Sequence, residues 1–384
     1  MKKLLLINTK YKILGGEDAN IIDEFKFLQK YYDVKFIEFD NSKKLTFLDI
    51  IAFLLNNNFK SNDEVKKAIK HFNPEIIYIH NTWFRLNLGV FKLIKKYKNI
   101  KLIVKIHNLR YDCSRHFTKK GHLNGNINCN ACSMQGASSF YLNKYYKESW
   151  IKSLLLWRYS RKYINILRKY PIKILVLNEF HKKYLLNLNI SSSKILNYYN
   201  PISYGRNTYN PESNYAVYAG RLNYEKGLLE LLRAWKSSEI EDLNLKIIGT
   251  GELYESLKVE YDCDNITFLG ELSNEKTKEI IRHARAVITA TKMYEGQPRL
   301  LCEASSYGVP SIYPSFGGMD EYFPKNYSFN FKQYDYQDLT KKIKQLQNKK
   351  QLINESNNIY KNIIENFSTE RSIDIFNQII GESK

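Results

Sequence analysis

The sequence predicts an α/β protein of two doubly wound domains with parallel sheets. Short apolar runs recur with helical stretches between them, the pattern of strand–helix–strand units whose strands are covered on both faces. The runs fall into two series, separated by a polar, proline-containing stretch from Asn200-Pro201 to about Asn214. At 384 residues the chain is also too long for one ordinary core and favours two domains.

In order, the first series of expected strands is Leu4–Ile7, Val34–Phe39, Ile76–Ile79, Leu102–Ile106 and Ile174–Leu177. The second is Ala216–Ala219, Leu245–Ile248, Ile266–Leu269, Ala286–Ala290 and Ser311–Tyr313. From Asp335 to Glu365 the chain is polar with helical period, and Asn366 to Glu370 opens a last amphipathic segment ending at Ile380, with Ser368 or Thr369 as its cap. The expected domains are 1–199 and 200–366, with a terminal helix, 367–384, packing back on the first.

Composition excludes some classes. With 43% hydrophobic and 26% charged residues the chain is foldable and not disordered. Met1-Lys2-Lys3 and Leu4–Ile7 are too short for a signal core, and no window approaches 18 consecutive apolar residues. The expectation is therefore a cytoplasmic protein, peripheral at most on the inner face of the cell membrane. Five cysteines are too few for a disulfide framework and read as thiols or metal ligands. A net charge of +20 points to an anionic partner, whether nucleic acid, membrane surface or phosphorylated substrate. The lysines are scattered among abundant Asn, Ile and Tyr, however, which an AT-rich genome explains as well.

Ligands of doubly wound sheets sit at the carboxyl ends of the strands, and the motifs fall there. After the first strand, Leu14-Gly15-Gly16-Glu17-Asp18 leads into a helical stretch, so paired glycines give close backbone approach beside a helix N-terminus that offers free N–H groups to an anion. Tyr218-Ala219-Gly220-Arg221 through Lys226-Gly227 sets two cations at one strand end, suited to a diphosphate, although solvated loop cations would look the same. Tyr294-Glu295-Gly296-Gln297-Pro298-Arg299-Leu300-Leu301-Cys302-Glu303 places one carboxylate in a loop and a second inside the following helix. That spacing lets Glu303 accept from the two hydroxyls of a ribose and Glu295 from a hexose, with phosphate oxygens at the helix mouth between them. Two carboxylates also suit a glycosidase, but a helix-borne Glu beside a phosphate-binding terminus fits that role poorly.

These segments resemble the retaining glycosyltransferases of family 4, enzymes of the GT-B fold with two Rossmann-like domains and an interdomain cleft. The resemblance runs over nearly the whole chain through Gly15-Gly16-Glu17-Asp18, His107-Asn108, Asn200-Pro201-Ile202, Ala219-Gly220-Arg221, Lys226-Gly227, Ile248-Gly249-Thr250-Gly251, Glu295 to Glu303, and Gly308-Val309-Pro310. It implies transfer of a hexose from a UDP- or GDP-sugar to a glycan or lipid-linked acceptor, with no cofactor and no catalytic metal. The donor site it implies comprises Gly15, Gly16, Arg221, Lys226, Gly249, Gly251, Gly296, Gln297, Pro298, Arg299, Leu300 and Glu303. Arg221 and Lys226 would hold the diphosphate, Glu303 the ribose and Glu295 the transferred sugar, with His107 beside the reacting carbon. Pro298 withdraws one N–H from the helix mouth.

His107-Asn108-Leu109-Arg110-Tyr111-Asp112-Cys113 followed by Cys129-Asn130-Ala131-Cys132 resembles a subgroup encoded with capsule or exopolysaccharide pathways, with Ser114 where that subgroup commonly has proline. Cys113, Cys129 and Cys132 with His116 or His122 would suit a tetrahedral zinc, while reduced thiols packing a long loop are the plainer account. Between Phe140 and Tyr170 aromatics alternate with Lys and Arg, as in Tyr145-Tyr146-Lys147 and Trp157-Arg158-Tyr159, a pattern of a basic helix lying on an anionic membrane or of an ordinary helix with an aromatic core face. Two other functions stay open: a GT-B sugar-nucleotide epimerase, which needs no acceptor, and a basic nucleic-acid-binding protein, which leaves the Glu295/Glu303 spacing unexplained.

Overall fold

The computed structural model of the chain describes residues 1–12, 16–44, 46–134, 142–146 and 149–381. Contacts divide it into two compact units, Met1–Pro201 with Ser372–Lys384, and Ile202–Arg371.

The first unit is built on six parallel strands: β1 (Lys3–Lys10), β2 (Asp33–Asp40), β3 (Ile76–Ile79), β4 (Lys101–Ile106), β5 (Lys173–Val176) and β6 (Ile195–Asn197), in the order β2-β1-β3-β4-β5-β6. The order reverses at β1, so the carboxyl ends of β1 and β3 flank the topological switch point. Strand pleat sends alternate side chains to opposite faces. Leu5, Ile7, Ile77, Ile79 and Val104 join one core layer, whereas Leu4, Leu6, Tyr78, Ile103 and Leu175 join another. The second layer is completed by Ile373, Phe376 and Ile380 at the far end of the chain. Beneath it lies a fully buried ion pair, Lys105 Nζ to Glu24 Oε2 at 2.8 Å, with the Tyr78 hydroxyl donating to Glu24 Oε1 at 2.8 Å. Burial lowers the Lys105 ammonium, and Glu24 opposes that shift.

The second unit has six parallel strands in the order β12-β11-β10-β7-β8-β9: β7 (Tyr215–Ala219), β8 (Asn244–Ile248), β9 (Ile266–Gly270), β10 (Ala286–Ile288), β11 (Ser311–Ser315) and β12 (Asn330–Lys332). Its switch point lies between β7 and β10. The long helix Lys349–Phe367 is followed by Thr369–Ile379, and Ser368 Oγ accepts the Arg371 N–H at 3.4 Å as an N-cap.

All ten expected strands lie in or against observed ones. Two further strands, β6 and β12, are three-residue edge strands with little apolar signal of their own.

Candidate functional site

In the first unit the ends of β1, β3 and β4 bring together a polar network. β3 and β4 are neighbours, and each is followed by His-Asn: His80-Asn81 and His107-Asn108. His80 Nδ1 and His107 Nε2 stand 2.9 Å apart. Burial first, then the neighbouring imidazole and the Lys105 charge, hold the His107 imidazolium well below its ordinary pKa, so the ring is neutral near pH 7. Asn108 Nδ2 donates to Glu17 Oε2 at 3.1 Å, Arg110 donates to the Tyr11 hydroxyl at 2.9 Å and the Tyr111 hydroxyl at 3.1 Å, and Asn81 Nδ2 donates to the Thr9 carbonyl at 2.8 Å. Burial pushes the Glu17 carboxyl up to about 7, against the pull of the Arg110 charge.

Glu17 sits in the first turn of the helix Gly16–Leu28, where a carboxylate also suits the helix dipole. Gly16 starts that helix and is exposed, with open space where a Cβ would stand. Gly15 lies outside the described residues, as do Phe140 and Lys147 of the aromatic-basic stretch.

In the second unit three loops at the ends of β7, β8 and β10 are tied to one another. Gly220 N–H donates to Ile248 O at 3.0 Å, Leu222 N–H to Thr250 O at 2.9 Å, and Lys292 N–H to Glu225 O at 2.9 Å. Gly249 has φ +126°, and a Cβ there would stand 2.0 Å from the Gly220 carbonyl, so only glycine admits this approach. Gly227 has φ +66°, and a Cβ would meet the Ala290 carbonyl at 1.9 Å. Gly251 is closed in by Leu222 and Asn223.

These loops carry the charged residues. Lys226 forms an ion pair with Glu295. Arg299 Nε donates to Glu303 Oε1 at 2.8 Å, one helical turn away, and Lys278 reaches the same carboxylate at 3.9 Å. Pro298 is the N-cap of the helix Arg299–Ser306 and supplies no side-chain cap, and the first turn holds no acid. Glu295 and Glu303 thus sit on either side of the start of this helix. Gly296 offers its carbonyl to the buried Tyr322 hydroxyl at 3.1 Å, while Gln297 and Leu300 are half-buried beside it. Arg221 is exposed, and its carbonyl accepts from the Tyr218 hydroxyl at 3.0 Å. The structure therefore gathers Lys226 with Glu295 and Arg299 with Glu303 in the second unit; His107 and Gly16 belong to the first.

The partners of His107 and the environment of Glu17 escaped the sequence reading. The signal for His80 was present, since two consecutive strands each end in His-Asn. Lys292 was also missed: its buried ammonium pairs with Glu230 at 2.6 Å and lies 3.5 Å from the Tyr224 ring centroid. Of the two histidines weighed beside the cysteines, His122 is the one that joins them.

Residues 205–366 match the family described as glycosyl transferases group 1. The amylovoran biosynthesis glycosyltransferase AmsD of Erwinia amylovora is 28% identical over 151 residues, 36% of this chain and 42% of that protein. The chain thus spans less than half the length of this relative. Among solved structures, sucrose-phosphate synthase (tll1590) from Thermosynechococcus elongatus superposes over 100% of both chains with a TM-score of 0.69 at 14% identity. Anabaena Alr3699/HepE in complex with UDP and glucose covers 99% of this chain and 98% of its own with a TM-score of 0.65, again at 14% identity. The fold is that of the GT-B glycosyltransferases. The residues that match the group 1 family model lie within its second unit.

Proposed function

We propose that the protein is a retaining, metal-independent glycosyltransferase of family 4 that moves a hexose from a UDP- or GDP-sugar to a glycan or lipid-linked acceptor in surface polysaccharide biosynthesis. The observation that carries this reading is the charge constellation at the start of the helix Arg299–Ser306, where Lys226 with Glu295 and Arg299 with Glu303 assemble around an N-terminus without a side-chain cap. Such a terminus with fixed cations meets the charge of a departing diphosphate without a divalent ion. The matched family, the name of the Erwinia relative and the UDP seen in the Anabaena structure support the same reading.

The roles follow from the resemblance and the geometry together. Lys226 and Arg221 hold the diphosphate, Glu303 accepts from the ribose hydroxyls and Glu295 from the hexose, and the resemblance alone adds the Gly16 backbone to the diphosphate. Gly249, Gly251, Gly296, Gln297, Pro298 and Leu300 shape the donor pocket. His107, a neutral ring, serves the reacting carbon as a hydrogen-bonding group. The bond from C1 to the phosphate oxygen breaks as the acceptor oxygen bonds C1 on the same face, and the acceptor proton leaves on the released nucleoside diphosphate.

The acceptor side is proposed to meet an anionic membrane through the helices Phe47–Leu55 and Trp150–Lys169. Phe53 of the first stacks on Tyr159 of the second; Phe47 is 75%, Leu48 74% and Ile151 73% exposed, and the second helix also carries exposed Lys152, Arg161 and Lys162. No helix among the described residues is long and apolar enough to cross a membrane.

Titration with UDP- and GDP-sugars tests the donor site. Lys226→Ala and Glu303→Ala are each expected to weaken binding by at least about tenfold, since a hydrogen bond to a charged group is worth about 1.5–3 kcal/mol, while His107→Ala lowers kcat with KM nearly unchanged. Wild-type affinity in both the Lys226 and Glu303 variants would remove the donor assignment. Conversion of the donor without any acceptor would favour an epimerase.

A further inference from the structure

Four side chains of the first unit that the transfer reaction does not use converge on one point. Cys113, His122, Cys129 and Cys132 place their ligand atoms within 4.8 Å of one another, and Cys113 Sγ is 3.4 Å from His122 Nε2. A tetrahedral zinc with Zn–S of about 2.3 Å and Zn–N of about 2.0–2.1 Å sets ligand atoms about 3.5–3.8 Å apart. The cluster is thus close to that size before any ion draws it in.

The backbone is arranged to present these atoms. Cys113 ends the short helix Arg110–Cys113, and His122 lies in the helix Lys119–Leu123, which Thr118 caps. Cys129 to Ser133 is a tight turn: Cys132 N–H and Ser133 N–H both donate to the Cys129 carbonyl, at 3.3 and 2.7 Å, and Cys129 N–H donates to Met134 O at 2.9 Å. Asn143 Nδ2 donates to the carbonyls of Cys113, at 3.1 Å, and His116, at 2.9 Å, and so ties the end of the first short helix to the loop before the second.

The alternatives account for less. A disulfide joins two sulfurs and leaves a third thiol and an imidazole pointed at it. Cys113 and Cys129 belong to the core layer with Leu123 and Cys132 packed against it, but apolar packing does not account for an imidazole that joins three thiols, and from Asn124 to Ile127 the loop is exposed. Cys263 and Cys302 take no part in the cluster.

We propose that Cys113, His122, Cys129 and Cys132 bind one zinc ion as a closed, structural Cys3His site. Binding replaces three thiol protons by Zn²⁺, releasing them to solvent, and leaves no open position for substrate. The ion ties the segment after His107-Asn108 to the Cys129–Cys132 turn. It thereby fixes Arg115 and His116, which line a basic pocket with Trp157, Arg161 and Arg168.

Elemental analysis of the full-length protein after purification without chelator is expected to give about one zinc per chain. Exchange with Co²⁺ should give thiolate charge-transfer bands in the near ultraviolet and the visible absorption of a tetrahedral ion. Cys129→Ser with Cys132→Ser should lose the metal, His122→Ala should weaken it by at least about tenfold, and His116→Ala and Cys263→Ser should retain it. The wild-type cobalt spectrum stands even if the cysteine variants fail to fold. Protein free of zinc that gives no thiolate band with Co²⁺, or that shows a Cys113–Cys129 disulfide by mass, overturns the proposal, as does full zinc affinity in His122→Ala.

Discussion

Glu24→Gln is the substitution whose cost the structure defines best. The carboxylate and the Lys105 ammonium are both fully buried and 2.8 Å apart, the Tyr78 hydroxyl holds the second carboxylate oxygen, and the Tyr198 ring lies 4.5 Å from the ammonium. Glutamine keeps the shape and can still offer its amide oxygen to Lys105, but it removes the countercharge, so the buried ammonium is left without a neutralising partner. Breaking a buried pair in this way costs about 3–5 kcal/mol. Two linked domains need not unfold in one step, so a global midpoint is a poor measure. Hydrogen exchange read on β1 and β4 peptides reports the first unit directly, and protection there should fall by about two to four powers of ten. Replacing the whole group, as Glu24→Leu with Lys105→Met and Tyr78→Phe, removes both charges and the hydroxyl together and should cost much less than the single change. A loss below about 1 kcal/mol in Glu24→Gln, or an equal loss in the triple variant, would refute the ion-pair account. The Lys105 charge also helps depress His80, so the triple variant should titrate that ring at higher pH, while at His107 the loss of the Glu24 charge offsets the loss of Lys105.

Glu17 gives a pH prediction of definite sign. Its carboxyl rises from 4.5 to about 7 in the folded chain. Stability from its protonated form is fully present below the unfolded value and is lost as pH climbs through about 7, with an upper bound of about 3 kcal/mol. Glu17→Gln should flatten the fall in first-unit stability, read by hydrogen exchange on β1 peptides, between pH 4.5 and 7.5 relative to wild type; parallel curves would contradict the raised carboxyl. For the membrane, Phe47→Ser with Leu48→Ser removes two exposed apolar side chains worth about 1.5–3 kcal/mol each when taken out of water. Co-flotation with anionic vesicles should drop at least about tenfold, and unchanged flotation would exclude this face.

The fold class was legible because β strands of a parallel sheet are covered on both sides and read as unbroken apolar runs. Leu4–Ile7 and Ile76–Ile79 declare themselves without any partner. Edge strands do not: Ile195-Leu196-Asn197 gains its identity only by pairing with β5. At the candidate site, sequence named the charges around the helix start, because local spacing decides on which side of a helix mouth Glu295 and Glu303 fall. It could not say that Lys226 pairs with Glu295, 69 positions away, nor that burial raises the Glu17 carboxyl to about 7 and holds the His107 ring neutral. Those depend on which loops the sheet order sets side by side. The choice of His122 over His116 likewise follows from the turn between two short helices, which the order of residues does not reveal.

The return of Ile373, Phe376 and Ile380 to the sheet of the first unit makes synthesis and folding run out of step. A ribosome finishes residues 1–201 long before it supplies the aromatic side chain that closes over Tyr32, Tyr78 and Tyr198. The earliest-made half must therefore wait, incompletely sealed, while the later-made half is translated and folded. Trimming the last dozen residues would injure the end of the molecule farthest from the cut in sequence.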